Sequence, residues 1–273
     1  MKATQEFRIS DELWARMFPL LPVHLPKPHP LGCHRQRVPD RQALDGIFFV
    51  LRTGCQWKAL DATGICSSST AHRRYQDWVE AGVFAALWNA ALHEYDDVID
   101  LDLEWLSLDG SLHKAPLGGA NPTDRAKTGV KRSLLVEGQG IPIGVELDGA
   151  NRHDMKLTDS TLNSQPPAVT QVRQTWIEAE VEQHLCLDAG YDYAEVRRIV
   201  AAHGYTAHIR GRGEEKKAKE AGQKARRWVA ERTHSWLNRY RYLLIRWAKK
   251  PENYLAMLHL AFAHLTWNCC LLG

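Results

Sequence analysis

Two short segments of this chain nearly repeat each other: LSLDGSL at residues 106–112 and LCLDAGYD at residues 185–192. In the first, Leu106 and Leu108 alternate with Ser107 and Asp109; in the second, Leu185 and Leu187 alternate with Cys186 and Asp188. A period of two puts the leucines on one face of a strand and each aspartate, with its small neighbour, on the other. The pattern therefore predicts two strands in the same phase, each carrying an aspartate at its C-terminal end. Open α/β sheets place their ligands at such ends. One Asp-Gly after a strand is ordinarily just a turn; two in the same phase suggest a shared site, with a purely structural role as the alternative.

The surrounding sequence supplies a sheet for them. From about residue 100, LEWLSLD, SLLVEG, IPIGVELDG and HLCLDAG are short apolar runs bounded by glycines, and they read as strands. Gly138-Gln139-Gly140 is a hairpin turn between the second and third. A helical pattern, YAEVRRIVAAHG (193–204), follows the last. Antiparallel strands followed by a strand–helix alternation predict an α/β fold, a mixed sheet flanked by helices.

The first hundred residues read instead as helical. Ser10 is placed to cap DELWARMFPLL, and Asp40 to cap RQALDGIFFVLRTG, which Gly54 closes. Between them lies a linker, 23–39, too rich in proline for regular structure. The serine run of CSSSTAHRRYQDWVEAG (66–82) starts a further helix bearing Arg73 and Arg74 near its beginning. Two helices with the second basic at its start are compatible with a helix-turn-helix reader of DNA, although the connection is long and any small helical domain looks similar. The expected division is a helical domain over 1–100 and an α/β domain over 101–273.

No apolar run follows the first Met and Lys, so no secretory signal is expected. The apolar tail, 254–272, is interrupted by His259, His264 and Asn268 and reads as a buried helix rather than a membrane span. None of the six cysteines forms a C-x-x-C pair, which argues against a zinc site or disulfide framework and for reduced, cytosolic thiols.

Charge is unevenly distributed. Residues 210–250 hold fourteen Lys/Arg against four Glu, a local net of +10, so the rest of a chain of net +3 sums to −7. A localised basic block beside an acidic remainder fits a polyanion partner, or a salt-bridged helix face. Within it, 226–247 shows a helical stripe of Val229, Thr233, Trp236, Tyr240, Leu243 and Trp247, with Glu231 on the polar side beside Arg227, Asn238 and Tyr242. Two strand-end aspartates and one helix glutamate are the oxygen ligands that hard divalent ions prefer. Two such ions can activate a nucleophile and stabilise a leaving oxygen in phosphoryl displacement. Basic residues would then hold the phosphodiester backbone beside carboxylates that otherwise repel it. Candidates for that role are Lys127, Lys131 and Arg132 in the Gly- and Lys/Arg-rich stretch 114–132, read as a loop, and Arg210, Arg212, Lys224 and Arg227 in the segment 210–227.

These motifs, from ISDELWARMFPLLP and DRQALDGIFFVLRTGCQWKAL through LSLDGS, NRHD and LDAGYD to ERTHSWLNRYRYLLIRW, resemble the DDE transposases of bacterial insertion sequences, most closely the insertion-sequence-five group. The resemblance spans nearly the whole chain. It implies an RNase H-like catalytic domain behind a helical DNA-binding region, with Asp109, Asp188 and Glu231 as the catalytic, metal-binding triad. It also implies Mg²⁺, with Mn²⁺ substituting; DNA partners, namely the element's terminal inverted repeats and a target; a homo-oligomer on DNA; and residence in the bacterial cytoplasm at the nucleoid. The family's signature of Tyr, two residues, Arg, three residues, Glu, six residues, Lys is met by Arg227 and Glu231. Lys224 and Asn238 stand where Tyr and Lys are expected, and Arg239, next to the latter, is a further candidate for a phosphate contact. His153 and Asp154 match a His-Asp pair of the group, near the metals or stabilising a turn. Trp228 is placed to stack on an extruded base, or to pack in the core. At this stage a DNA-binding protein without catalysis and a cellular RNase H-like nuclease or resolvase remain open alternatives.

Overall fold

The repeated segments fold into neighbouring strands. The computed structural model describes residues 7–24, 36–117, 123–124, 127–209 and 228–272. Strand β1 (Trp105–Lys114) pairs in parallel with β5 (Gln183–Leu187), with Leu106 opposite Leu185 and Ser107 opposite Cys186. β5 pairs in parallel with β6 (Tyr205–Ile209). On its other edge β1 runs antiparallel to β3 (Lys127–Val136), and β3 antiparallel to β4 (Pro142–Gly149). The main sheet is thus ordered β4-β3-β1-β5-β6, and a two-residue β2 (Thr123–Asp124) folds back on the start of β3. A mixed five-stranded sheet flanked by helices is the fold class the sequence predicts.

The β3–β4 turn falls at Gly138-Gln139-Gly140 as expected. Gly140 has φ +90°, and a Cβ there would stand 2.9 Å from the Thr233 hydroxyl. The turn is braced by Glu137, whose buried carboxylate accepts the backbone N–H of Gln139 (2.9 Å) and Ile141 (2.7 Å).

Ahead of the sheet lie α1 (Asp11–Met17), α2 (Asp40–Thr53), α3 (Ser68–Glu80) and α4 (Val83–Ile99). Ser10 caps α1 by accepting from Leu13 N (3.2 Å), and Gly54 closes α2 at φ +68°. Asp40 does not cap α2: Pro39 holds that position, and the Asp40 carboxylate pairs with Arg37 (2.9 Å) and Arg74. The amide of Ser68 at the start of α3 goes to Asp61 Oδ1 (2.6 Å) rather than to the serine run.

Helices α5 (Thr158–Asn163), α6 (Pro167–Glu178) and α7 (Ala194–Ala202) flank the sheet, followed by α8 (Trp228–Leu237) and α9 (Pro251–Leu272). The apolar tail is the buried helix α9, which packs mainly on α4. Trp88 on α4 stacks on His259 (centroids 5.0 Å apart) and donates to the Pro142 carbonyl (3.1 Å), joining helices to sheet. A single apolar core therefore runs from Ile9 to Leu265, although the texture changes from helix to strand at residues 100–105. Among the described residues no helix is long and apolar enough to cross a membrane.

Three further expectations fail. Asp109 is not at the end of its strand, because β1 continues five residues further along β3 to Lys114. The stretch 114–132 is not all loop, since 127–132 belong to β3. The helix expected over 226–247 stops at Leu237: Arg239 N and Tyr240 N turn back to the carbonyls of Trp236 and Leu237, and Ile245 bridges Lys114. The chain there is drawn to the end of β1, where Arg246 N donates to Lys114 O (2.8 Å). Tyr242, placed on a polar ridge by a continuous helix, is buried instead.

Candidate active site

Asp109 and Asp188 each lie two residues beyond the last β1–β5 pair, Ser107–Cys186, on the same face of the sheet. The phase read from the sequence is therefore the phase in space. Asp109 sits where β1 loses β5 as a neighbour; Asp188 follows the last residue of β5 and caps a 3₁₀ turn, Ala189–Tyr191, by accepting from Gly190 N (2.8 Å).

That face is covered by α8, which packs on β1 and β3. Val229, Ala230, Thr233 and Leu237 are buried, and Thr233 donates to Gly140 O (2.7 Å), fixing the helix over the β3–β4 turn. Glu231 is exposed. One turn on, on the same side of the helix, His234 turns inward. Its Nε2 stands 3.5 Å from Asp109 Oδ2, and its Nδ1 stands 3.0 Å from Nη2 of Arg132. Burial holds His234 below its usual acid constant against the pull of the Asp109 carboxylate, and Asp109 and Glu231 both act on it.

The opposite face carries a second polar group. Lys131 pairs with Asp154 (3.1 Å), and Asp154 Oδ1 occupies the space a Cβ on Gly110 would need, 2.2 Å away. The Tyr191 hydroxyl is beside it. Burial raises the Tyr191 acid constant well above normal, and the carboxylates of Asp154, Asp109 and Asp188 raise it further. Gly110, lacking a side chain, lets Asp154 approach the strand this closely.

Among the described residues, no three His, Cys, Asp or Glu side chains come close enough together to hold a metal ion. The arrangement is two carboxylates in register, with a third on the adjoining helix.

A family model described as "Transposase DDE domain" matches residues 101–266, more than half of the chain. The chain belongs to the DDE transposase family. A second model, "Putative transposase of IS4/5 family", matches residues 9–88 of the transposase. The "Putative transposase for insertion sequence element IS402" of Burkholderia cepacia is 32% identical over 153 residues, 56% of this chain and 70% of that protein. The "Insertion element IS402 uncharacterized 16.2 kDa protein" of the same organism is 39% identical over 109 residues, 39% of this chain and 73% of that one. Among solved structures, the catalytic domain of Mos1 mariner transposase aligns over 69% of this chain and 92% of its own at 13% identity and a TM-score of 0.31, too slight a likeness to bear on the site.

The basic residues singled out in the transposase sequence divide sharply. Arg73 on α3 is exposed, and Arg239 is exposed in the turn after α8. Arg74 is buried against Asp40, and Arg132 is buried against His234, so neither side chain reaches solvent where a DNA backbone would lie. Lys131 is mostly buried and engaged by Asp154. Lys127 begins β3. Arg210, Arg212, Lys224 and Arg227 lie outside the described residues. Trp228 is 46% exposed with the Arg232 guanidinium 4.6 Å over its ring, so one face is already occupied. His153 accepts from Met155 N (3.4 Å) at the start of a 3₁₀ turn, while its neighbour Asp154 is the residue at the sheet. Sequence reasoning missed His234 and Tyr191. Their signals were present: His234 follows Glu231 by three residues, and Tyr191 belongs to the LDAGYD segment itself.

Proposed function

We propose that Asp109, Asp188 and Glu231 are the acids with which this transposase cleaves and joins DNA, using Mg²⁺ or, in its place, Mn²⁺. The observation that carries this is the register of β1 and β5. It sets two carboxylates side by side on the face covered by the helix that bears Glu231. The donors suit a hard cation, being carboxylate oxygens only, at positions open enough to keep water and admit phosphate. When bound, the metal supplies activation of the attacking oxygen and stabilisation of the leaving one. In this proposal the three acids would be its ligands, drawn together on binding, since without it they do not stand close enough to form a site. Asp188 is oriented by Gly190 N, and Glu231 is carried by a helix anchored through Thr233. Water is the first nucleophile and a DNA 3′-hydroxyl the second, so no covalent protein–DNA intermediate is needed.

The duplex lies, in this proposal, against the α8 face, held by Arg239 and by the basic segment 210–227. The helical region 1–100, through the exposed Arg73, contacts the element's inverted repeats, and two or more copies of the chain pair the ends. The decisive test is cleavage of a labelled duplex carrying those ends, with and without Mg²⁺ or Mn²⁺, for the wild type and Asp188→Ala. Metal-dependent cuts at the ends, lost in the variant, are the expected result. Equal cleavage by the variant overturns the assignment.

A further inference from the structure

Arg132 is the feature the proposed chemistry leaves unused. It is 1% exposed, in the middle of a strand, and its Nε and Nη1 have no hydrogen-bond partner in the structure. Burying a guanidinium is costly unless it is paired and bonded. Its neighbours include the Tyr254 hydroxyl, which donates to Leu243 O (2.7 Å), the half-buried His113 of β1, and the His234 ring, with Nη2 3.0 Å from Nδ1. The nearest carboxylate along this line is Asp109, on the far side of that ring.

The chemistry of the contact fixes the imidazole. A guanidinium donates and never accepts, so Nδ1 must be the accepting, unprotonated nitrogen. The ring proton is then on Nε2, aimed at Asp109 Oδ2 3.5 Å away, and Nε2 has no nearer acceptor. Asp109, Ser111 and Arg132 share one face of the sheet, since Ser111 pairs with Arg132, so the three groups stand in one row beneath α8. An Asp109 faced by that N–H through one oxygen presents the other. Partners of this kind behind ligating side chains generally govern affinity and orientation.

We propose that His234, locked in one tautomer by the buried Arg132, is the positioning residue for Asp109, holding that carboxylate in the orientation that receives the divalent cation. This rests on the assignment of Asp109 as a metal ligand. The arginine does not touch DNA; its place is underneath the site.

The two amide replacements of histidine separate this role from simple packing. Gln puts its amide near Nε2 and reaches Asp109; Asn puts its amide near Nδ1 and reaches only Arg132. The measurement is Mn²⁺ binding to the purified full chain by electron paramagnetic resonance, paired with Mg²⁺-dependent cleavage of the end duplex. His234→Asn and Arg132→Met should each raise the half-saturating Mn²⁺ concentration about tenfold or more. His234→Gln should stay near the wild type, and duplex binding should be unchanged in all three. Wild-type Mn²⁺ binding by His234→Asn or by Arg132→Met overturns the proposal, as does His234→Gln binding as weakly as His234→Asn. Asp109→Ala is run alongside. If it binds Mn²⁺ and cleaves like the wild type, the triad assignment itself falls; if it alone is defective, only the positioning role falls.

Discussion

The segments around Asp109 and Asp188 are nearly the same in sequence and different in structure. After Leu187 β5 ends, and Asp188 turns its carboxylate onto Gly190 N to start a 3₁₀ turn. After Leu108 β1 continues to Lys114, because β3 is there to pair with it. One aspartate is held by the backbone that follows it; the other faces a side chain, His234, of the helix that covers the sheet. A short motif thus specifies a phase, while the neighbouring strand decides whether the motif ends anything. What the two share is position: each stands where the parallel pairing of β1 with β5 has run out.

The largest test of that shared position is catalytic. Asp109→Asn and Asp188→Asn keep size and hydrogen-bonding shape but remove the charge, and both should reduce metal-dependent cleavage to background. Duplex affinity, measured by gel shift, should remain close to wild type. Loss in one and retention in the other would break the equivalence of the two positions.

A third acid in the same sheet shows what a purely structural carboxylate looks like. Glu137, just after β3, is buried and accepts from three backbone N–H groups, those of Asp102 (3.3 Å), Gln139 (2.9 Å) and Ile141 (2.7 Å). Desolvation outweighs those bonds and raises its acid constant from 4.5 to about 7. A folded-state value above the unfolded one means that the native state holds the proton more tightly. The stabilisation is therefore full below pH 4.5 and is lost as pH rises through about 7, on the order of 3 kcal/mol across that window. His259 and His264, held near 4 by burial, slope the other way below pH 6.5. Urea unfolding from pH 4.5 to 8 for the wild type and Glu137→Gln should isolate the first term, as a difference in slope that flattens above pH 7. Cleavage by Glu137→Gln at neutral pH should persist, in contrast to the aspartates.

Much of this was legible in the sequence, for identifiable reasons. Alternation fixed the faces of Leu106, Asp109, Leu185 and Asp188, because a period of two survives any tertiary context that buries one face. Gly54 and the Gly138–Gly140 turn were legible because positive φ restricts the residue. The length of β1 was not, since it depends on pairing with β3, which comes later in the chain. Nor was the break after Leu237: the stripe of 226–247 is helical in period, but the bridge from Ile245 to Lys114 outweighs local preference. The fates of Arg74 and Arg132 were hidden for a related reason. A basic residue in a strand or helix start reads as a phosphate contact until the buried partner, Asp40 or His234, is known.

The smallest effect separates the two aspartates by stability alone. Asp188→Ala removes the acceptor for Gly190 N and so should cost about 1 kcal/mol, the usual size of a lost cap. Asp188→Asn, whose amide oxygen can still accept, should recover most of it. Asp109 caps nothing, and its contact with His234 is 3.5 Å long, so Asp109→Ala should change stability by no more than about 0.5 kcal/mol. Chemical denaturation of the three variants without metal would show this as a shifted midpoint for Asp188→Ala only. A larger loss for Asp109→Ala would mean that Asp109 compensates the buried Arg132 charge through His234, making it as structural in the metal-free protein as Asp188 is.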